Sequence, residues 1–302
     1  MRDDGAARRD PGGEGGEATP VRAIGPRLGV LAAAALFSTG GAVIKAIDLS
    51  GWQVASFRSG LAAVALLLMM PDSRRRVGAR DLLVALAYAG TMVLFVLANK
   101  LTTSASSIFL QSASPLYILL LGPWLLHERI RRRDLGFMVA LAVGLACIFV
   151  GLDPVSQTAP DPLRGNICAV LSGVLWAVTV IGFRFLGKSG SGAAAAVWGN
   201  VFAFLLCLPM ALPVGQIGGA DAGLLAYLGI FQIGLAYVFL TRALTHVPAL
   251  EASLLLLLEP VLNPIWSWLA HGERPSAWSL AGGVLILLAT TVKTWADARR
   301  PA

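Results

Sequence analysis

The stretch that decides the fold is Ala249–Arg274, ALEASLLLLLEPVLNPIWSWLAHGER. It is apolar over a length that crosses a bilayer, for which about 20 residues are needed. Near its middle, however, it carries Glu259 followed by Pro260. A charged group at that depth costs on the order of 3 kcal/mol or more, so it faces a protein interior or a wet cavity rather than lipid. The stretch has an echo 145 residues earlier, where Ser104–Arg129 reads SASSIFLQSASPLYILLLGPWLLHER. At that offset Pro115 falls on Pro260, Glu128 on Glu273 and Arg129 on Arg274. An internal repeat built around a broken, polar-marked membrane helix is the pattern of a transporter.

Composition agrees. Of 302 residues, 56% are hydrophobic and 14% charged, and the mean hydropathy is +0.72. Soluble domains carry about 25% charged residues. The net charge is +7, but the basic residues sit in short clusters between apolar runs, with no polar domain to hold a polyanion. Nucleic acid is therefore not an expected partner. Cys147, Cys168 and Cys207 each lie inside an apolar run without shared spacing, as packing residues do, not as a disulfide framework or metal site. Residues 1–26 are rich in Gly, Arg, Asp, Glu and Pro. They read as a disordered tail, and they lack the apolar core of a signal peptide.

The hydropathy pattern predicts an all-α integral membrane fold with ten spans, at about 27–47, 52–70, 81–99, 104–126, 134–151, 164–184, 193–213, 222–243, 248–269 and 277–296. Each must be a helix, because hydrocarbon offers no partner to a free backbone N–H or C=O. The expected organisation is a first five-helix repeat over 27–151, a Pro- and Asp-rich linker over 152–163, a second repeat over 164–296 and a short tail over 297–302. With the N-terminus inside, nineteen of the 24 Lys and Arg fall in cytoplasmic segments and four outside, with Arg58 inside the second span. That is a strong positive-inside bias. It places both termini in the cytoplasm of a cell inner membrane and the linker outside. Five spans per half set the second half in the opposite sense to the first, an inverted repeat. After Glu128-Arg129 comes Ile130-Arg131-Arg132-Arg133, whereas after Glu273-Arg274 comes Pro275-Ser276-Ala277. The motif is kept and the arginines are gone, as opposite orientation requires. The first spans of the halves match at an offset of 139, pairing Phe37 with Trp176 and Lys45 with Arg184.

The chain at this point resembles the drug/metabolite transporter superfamily, and within it the EamA-type members. The segment ALTHVPALEASLLLLLEPVLNPIWSWLAHGERPS at 243–276 carries the resemblance, with ANKLTTSASSIFLQSASPLYILLLGPWLLHERIR at 98–131 as its weaker partner. The first half adds Leu36-Phe37-Ser38-Thr39-Gly40-Gly41, Lys45 and Ser56-Phe57-Arg58. The resemblance implies a ten-helix transporter, often an exporter of amino acids or other small metabolites. Spans 1, 3, 4, 6, 8 and 9 would line a central cavity, with spans 5 and 10 at the periphery.

Candidate substrate-binding residues follow from polarity within spans. Glu259 can contact a cationic group of cargo, take a proton during transport, or bond a neighbouring helix. Pro260 and Pro115 lack an N–H and clash with the preceding turn, so both mark expected kinks. Ser114 holds the place of Glu259 in the first half. Arg58 can line the cavity mouth, snorkel to the interface as an anchor, or form an ion pair. Asn99, Gln111, Tyr117, Gln232, Tyr237 and Asn263 lie in spans 3, 4, 8 and 9. On helices, Gln111, Ser114 and Tyr117 fall close to one face, as do Glu259 and Asn263. Such stripes suit orienting hydrogen bonds in an apolar pocket or bonds between helices. Phe37, Ser38 and Trp176 join the set, the two aromatics through their symmetry match. The histidines have no zinc spacing and no GxxxxGK loop is present, so no metal or other cofactor is expected. Three functions fit this pattern: a secondary transporter of small organic metabolites, an intramembrane enzyme or lipid-handling protein, and a membrane scaffold. The enzyme would need a paired catalytic constellation at one depth, where a single central carboxylate stands.

Overall fold

The structure, a computed structural model, describes residues 20–125, 130–186, 192–244 and 246–299. The expectations for residues 1–19, for His127, Glu128 and Arg129, and for the last residues fall outside these. Among the described residues the secondary structure is helical throughout, apart from one isolated bridge between Ser156 and Ala159 in the linker. Among the described residues, nine helices are long and apolar enough to cross a membrane: Gly25–Ala46, Gly51–Met69, Ala79–Leu101, Ser104–Leu125, Pro162–Leu186, Gly192–Ala211, Gly219–Leu244, Glu251–His271 and Ala277–Asp297. The remaining segment, Asp134–Val150, is apolar but shorter. It is span 5 in the numbering below, and the nine others are spans 1–4 and 6–10. The first helix begins at Pro20, so residues 20–26 are helical, not part of an irregular tail.

Local chemistry sets the ends. Ser50 caps span 2 in a capping box: its hydroxyl accepts from Gln53 N at 3.3 Å, and Gln53 Oε1 accepts from Ser50 N at 3.1 Å. Thr103 and Ser276 cap spans 4 and 10 through their hydroxyls. Span 9 ends at Gly272, whose φ of 64° is the left-handed conformation that glycine adopts without a Cβ clash.

Four spans are irregular, and the irregularities lie inside the bundle. Span 4 breaks at Ala113, between Ser104–Ser112 and Ser114–Leu125; span 9 breaks at Leu257, between Ala249–Leu256 and Leu258–His271. Both breaks precede a proline, Pro115 or Pro260, by two or three residues, where the ring and missing N–H disrupt the preceding turn. Span 1 breaks at Thr39 with no proline. There the Thr39 hydroxyl donates to Leu36 O at 2.7 Å, competing with the helical ladder. Span 8 winds as a π-helix over Tyr227–Leu235, a rare form found mostly at functional sites.

The packing has two-fold character. Span 3 packs on span 6 and span 8 on span 1; span 3 packs on span 7 and span 8 on span 2; span 4 packs on span 6 and span 9 on span 1. Each pair becomes the other when the halves are exchanged, while the contacts of span 2 with 7 and span 5 with 10 map onto themselves. Small residues permit these approaches. At the 5–10 contact a Cβ on Gly144 would lie 2.7 Å from Ile286 and 2.9 Å from Gly282 O. Large apolar side chains such as Leu83, Leu86, Val139 and Leu288 stay exposed, as a lipid-facing surface requires. Gly144→Val should therefore force spans 5 and 10 apart, at a cost of about 1–3 kcal/mol. The expected outcome is a lower melting temperature in detergent than that of the parent protein, while Val143→Ala on the exposed face leaves it unchanged.

Candidate functional site

Arg58 defines the site. It stands seven residues into span 2, about 10 Å from that helix's start at 1.5 Å per residue. It is 1% exposed, so it does not reach the interface, and the anchoring alternative is set aside. Among the described residues its side chain makes one hydrogen-bond contact, from Nη2 to Met92 Sδ at 3.5 Å. Nε and Nη1 have no protein partner, and no carboxylate lies within ion-pair distance. The guanidinium sits instead within electrostatic reach of the phenols of Tyr88 and Tyr237. Burying a cation without a counter-ion costs several kcal/mol, so its retention points to function rather than stability.

Both halves of the chain converge here. Tyr88 of span 3 and Tyr237 of span 8 meet ring edge to ring face at 6.1 Å, and Phe37, at the break of span 1, meets Tyr237 at 5.5 Å. Asn200 of span 7 lies 3.5 Å from the Tyr88 hydroxyl. Trp176, Met92 and Phe183, like Tyr237, pack against the buried cluster that contains Tyr88. Glu259, two residues past the break of span 9, is part-exposed, lies within electrostatic reach of Tyr237, and has no hydrogen-bond or ion-pair partner among the described residues. The centre thus offers a guanidinium and a carboxyl, each without an ion-pair partner among the described residues, with two phenols and an aromatic wall. This arrangement can orient a small dipolar molecule.

The structure separates the other candidates. Gln232, on the π-helix, donates to Phe37 O at 3.3 Å and so serves the carbonyl at the break of span 1. Ser38 accepts from the Trp266 indole at 2.9 Å and donates to Ala35 O, a link between spans 1 and 9. Gln111 donates to Ser172 at 2.8 Å, and Ser172 to Thr91 O at 3.1 Å, which ties spans 4, 6 and 3. Tyr117 is buried on the same side, against Gly173. Gln111 and Tyr117 are thus helix-to-helix contacts, away from Arg58. Ser114 is half-buried beside the break. Asn99 and Asn263 are fully buried in a separate layer, where Asn263 Oδ1, Ser104 Oγ and Asn99 Oδ1 crowd the Cα of Gly41. Tyr88, Met92 and Asn200 escaped the reading of the sequence. Tyr88 and Asn200 are polar positions inside spans, a signal that could have found them; Met92 carries none.

A second polar cluster closes one end of the bundle. Lys45 and Glu273 are 3.7 Å apart with side chains 2% and 3% exposed. Lys45 also donates to Thr102 O at 2.7 Å and to Thr158 O, and Ser104 N donates to Glu273 Oε1 at 2.9 Å. Asp153, from the linker, accepts from Thr103 and Ser106 of span 4 on one oxygen and from Ser276 N and Ser279 of span 10 on the other. Burial pushes the Glu273 carboxyl up from the ordinary carboxylate range, and the nearby Lys45 offsets this in part.

Comparison with known proteins fits this architecture. The model of the EamA-like transporter family matches residues 27–150 and again 163–294. A pseudopaline exporter of Pseudomonas aeruginosa is 27% identical over 261 residues, covering 84% of this chain and 90% of the relative. An uncharacterized transporter of Bacillus subtilis is 27% identical, covering 77% and 78%. One solved crystal structure superimposes with a TM-score of 0.60 over 91% of this chain and 98% of the other, at 19% identity, a likeness of fold alone. With the family model matched across both halves of a helical, lipid-facing bundle, the chain belongs to the EamA-like transporter family of the drug/metabolite transporters.

Proposed function

We propose that the protein is a secondary transporter, working as an exporter of small organic metabolites such as amino acids or related compounds. The observation that carries this reading is the pair of uncompensated charges at mid-bundle, Arg58 and Glu259, set about the phenols of Tyr88 and Tyr237. A cargo molecule with a carboxylate for Arg58 and an amino group for Glu259 supplies what each lacks. Arginine suits a carboxylate because its planar fork donates two parallel hydrogen bonds. The two halves, taken as inverted repeats over 27–151 and 164–296, rock about this centre to expose it to either face in turn. The similarity to a pseudopaline exporter supports export over uptake. The arginine distribution supports cytoplasmic termini in a bacterial-type inner membrane. A protonatable Glu259 gives the cycle a place to couple to protons.

Cells with and without the gene, compared for efflux across an amino-acid panel, identify the cargo; no difference for any compound counts against the reading. Two substitutions then separate function from folding. Arg58→Met removes a buried, unpaired charge, so its melting temperature should equal or exceed the parent's, while efflux of the identified cargo falls at least about tenfold, the equivalent of 1.4 kcal/mol. Glu259→Gln should reach normal membrane levels with a comparable loss of efflux. Full efflux in that variant would remove the Glu259 charge from the mechanism.

A further inference from the structure

Between the central site and the Lys45–Glu273 pair lies a layer of buried polar groups that no contact described so far explains. Along span 9, Asn263 follows Glu259 by four residues and Ser267 follows by four more, a step of about 6 Å each along one face. The opposite face of that helix, Val261, Ile265, Trp268 and Leu269, is exposed and apolar. Facing Asn263 are Gly41 of span 1, Asn99 of span 3 and Ser104 of span 4. A Cβ built on Gly41 would lie 2.6 Å from Asn263 Oδ1, 2.8 Å from Ser104 Oγ and 3.0 Å from Asn99 Oδ1. Glycine alone lets these groups approach.

None of those three oxygens has a protein hydrogen-bond partner, nor do Ser107 Oγ, Ser267 Oγ or Glu273 Oε2. Their residues are between 0% and 6% exposed. Each buried group left without a partner costs about 1–3 kcal/mol. Five within one layer, with Glu273 Oε2 at its outer edge, make poor sense as packing, because apolar side chains of the same shape would serve better. They make sense as the wall of a passage that opens, when water or cargo meets them. Directly above, Lys45 and Glu273 hold span 1 to the segment joining spans 9 and 10, and Ser104 N ties span 4 to the same carboxylate. The charge distribution assigns this end to the outside.

We propose that the polar column from Glu259 through Asn263 and Ser267, walled by Gly41, Asn99 and Ser104, is the route by which cargo leaves the central site for the outer face, and that the Lys45–Glu273 pair holds it shut in this conformation. The proposal rests on the transporter reading and adds its exit path and gate. Opening requires the pair to part; Gly41, Ser104 and Ser267, on spans 1, 4 and 9, carry small side chains or none.

The test uses the full chain in cells, with Cys147, Cys168 and Cys207 changed to alanine. A membrane-impermeant maleimide, added outside, reads one introduced cysteine at a time, because a thiol reacts only where water reaches it. Ser267→Cys should label slowly. It should label at least about fivefold faster when Glu273→Gln or Lys45→Met is added, since a larger open population exposes it more often. Ile265→Cys, two residues away on the lipid face, should stay unlabelled in every background. Ser104→Cys reads the same layer from the opposing helix should the Ser267→Cys protein fail to reach the membrane. No labelling in the layer with either latch variant, equal labelling at Ile265→Cys, or labelling only from the cytoplasmic side of inside-out vesicles would overturn the route. Labelling needs no cargo, so a protein that labels as expected but exports nothing counts against the transporter reading and leaves the route standing.

Discussion

Arg58 carries a charge into the middle of a helix bundle and meets no counter-ion there. That constraint organises the molecule. A guanidinium in such a place needs polarisable and hydrogen-bonding neighbours; Met92 and the two tyrosines stand beside it from spans 3 and 8, and Asn200 of span 7 bonds to Tyr88. Those spans can come so near only because small residues line their contacts. A Cβ on Gly199 of span 7 would strike the Tyr88 ring, and one on Gly229 of span 8 would lie 2.9 Å from Arg58 O. The energetic cost of the buried charge is thus met by close packing elsewhere in the bundle.

The halves share a plan without sharing a surface. Spans 4 and 9 break at matched places ahead of Pro115 and Pro260, yet Ser114 stands where Glu259 does, and Gln111 is spent on a bond to Ser172. Span 8 carries a π-helix while span 3 is a regular α-helix, and span 1 breaks at Thr39 while span 6 runs on without interruption. Symmetric packing with asymmetric side chains gives a centre with distinct positive and negative sides.

The polar groups sort by depth. At mid-bundle they are charged and unpaired; in the next layer they are neutral and without partners; at the outer end they are charged and tightly bonded to each other and to backbone. A buried ion pair adds little to stability, but it is directional. It joins span 1 to the segment between spans 9 and 10, and Ser104 N joins span 4 to the same carboxylate.

Several features are legible in the residues alone. Composition and the long apolar runs require a helical membrane protein, because in hydrocarbon the backbone has no other way to satisfy its hydrogen bonds. The 145-residue echo exposes two related halves, and Pro115 and Pro260 mark where their helices bend. Glu259, Arg58, Tyr237, Phe37 and Trp176 stand out as costly or symmetry-matched positions. Tertiary structure alone decided which of these meet. Spacing along a helix tells which residues share a face, but the face's partner is set by how neighbouring helices rotate and approach, and that depends on small residues far away in the chain. So Tyr88 and Asn200 joined the centre unannounced, Gln111 and Tyr117 turned to span 6, and Asn99 and Asn263 withdrew to a layer of their own.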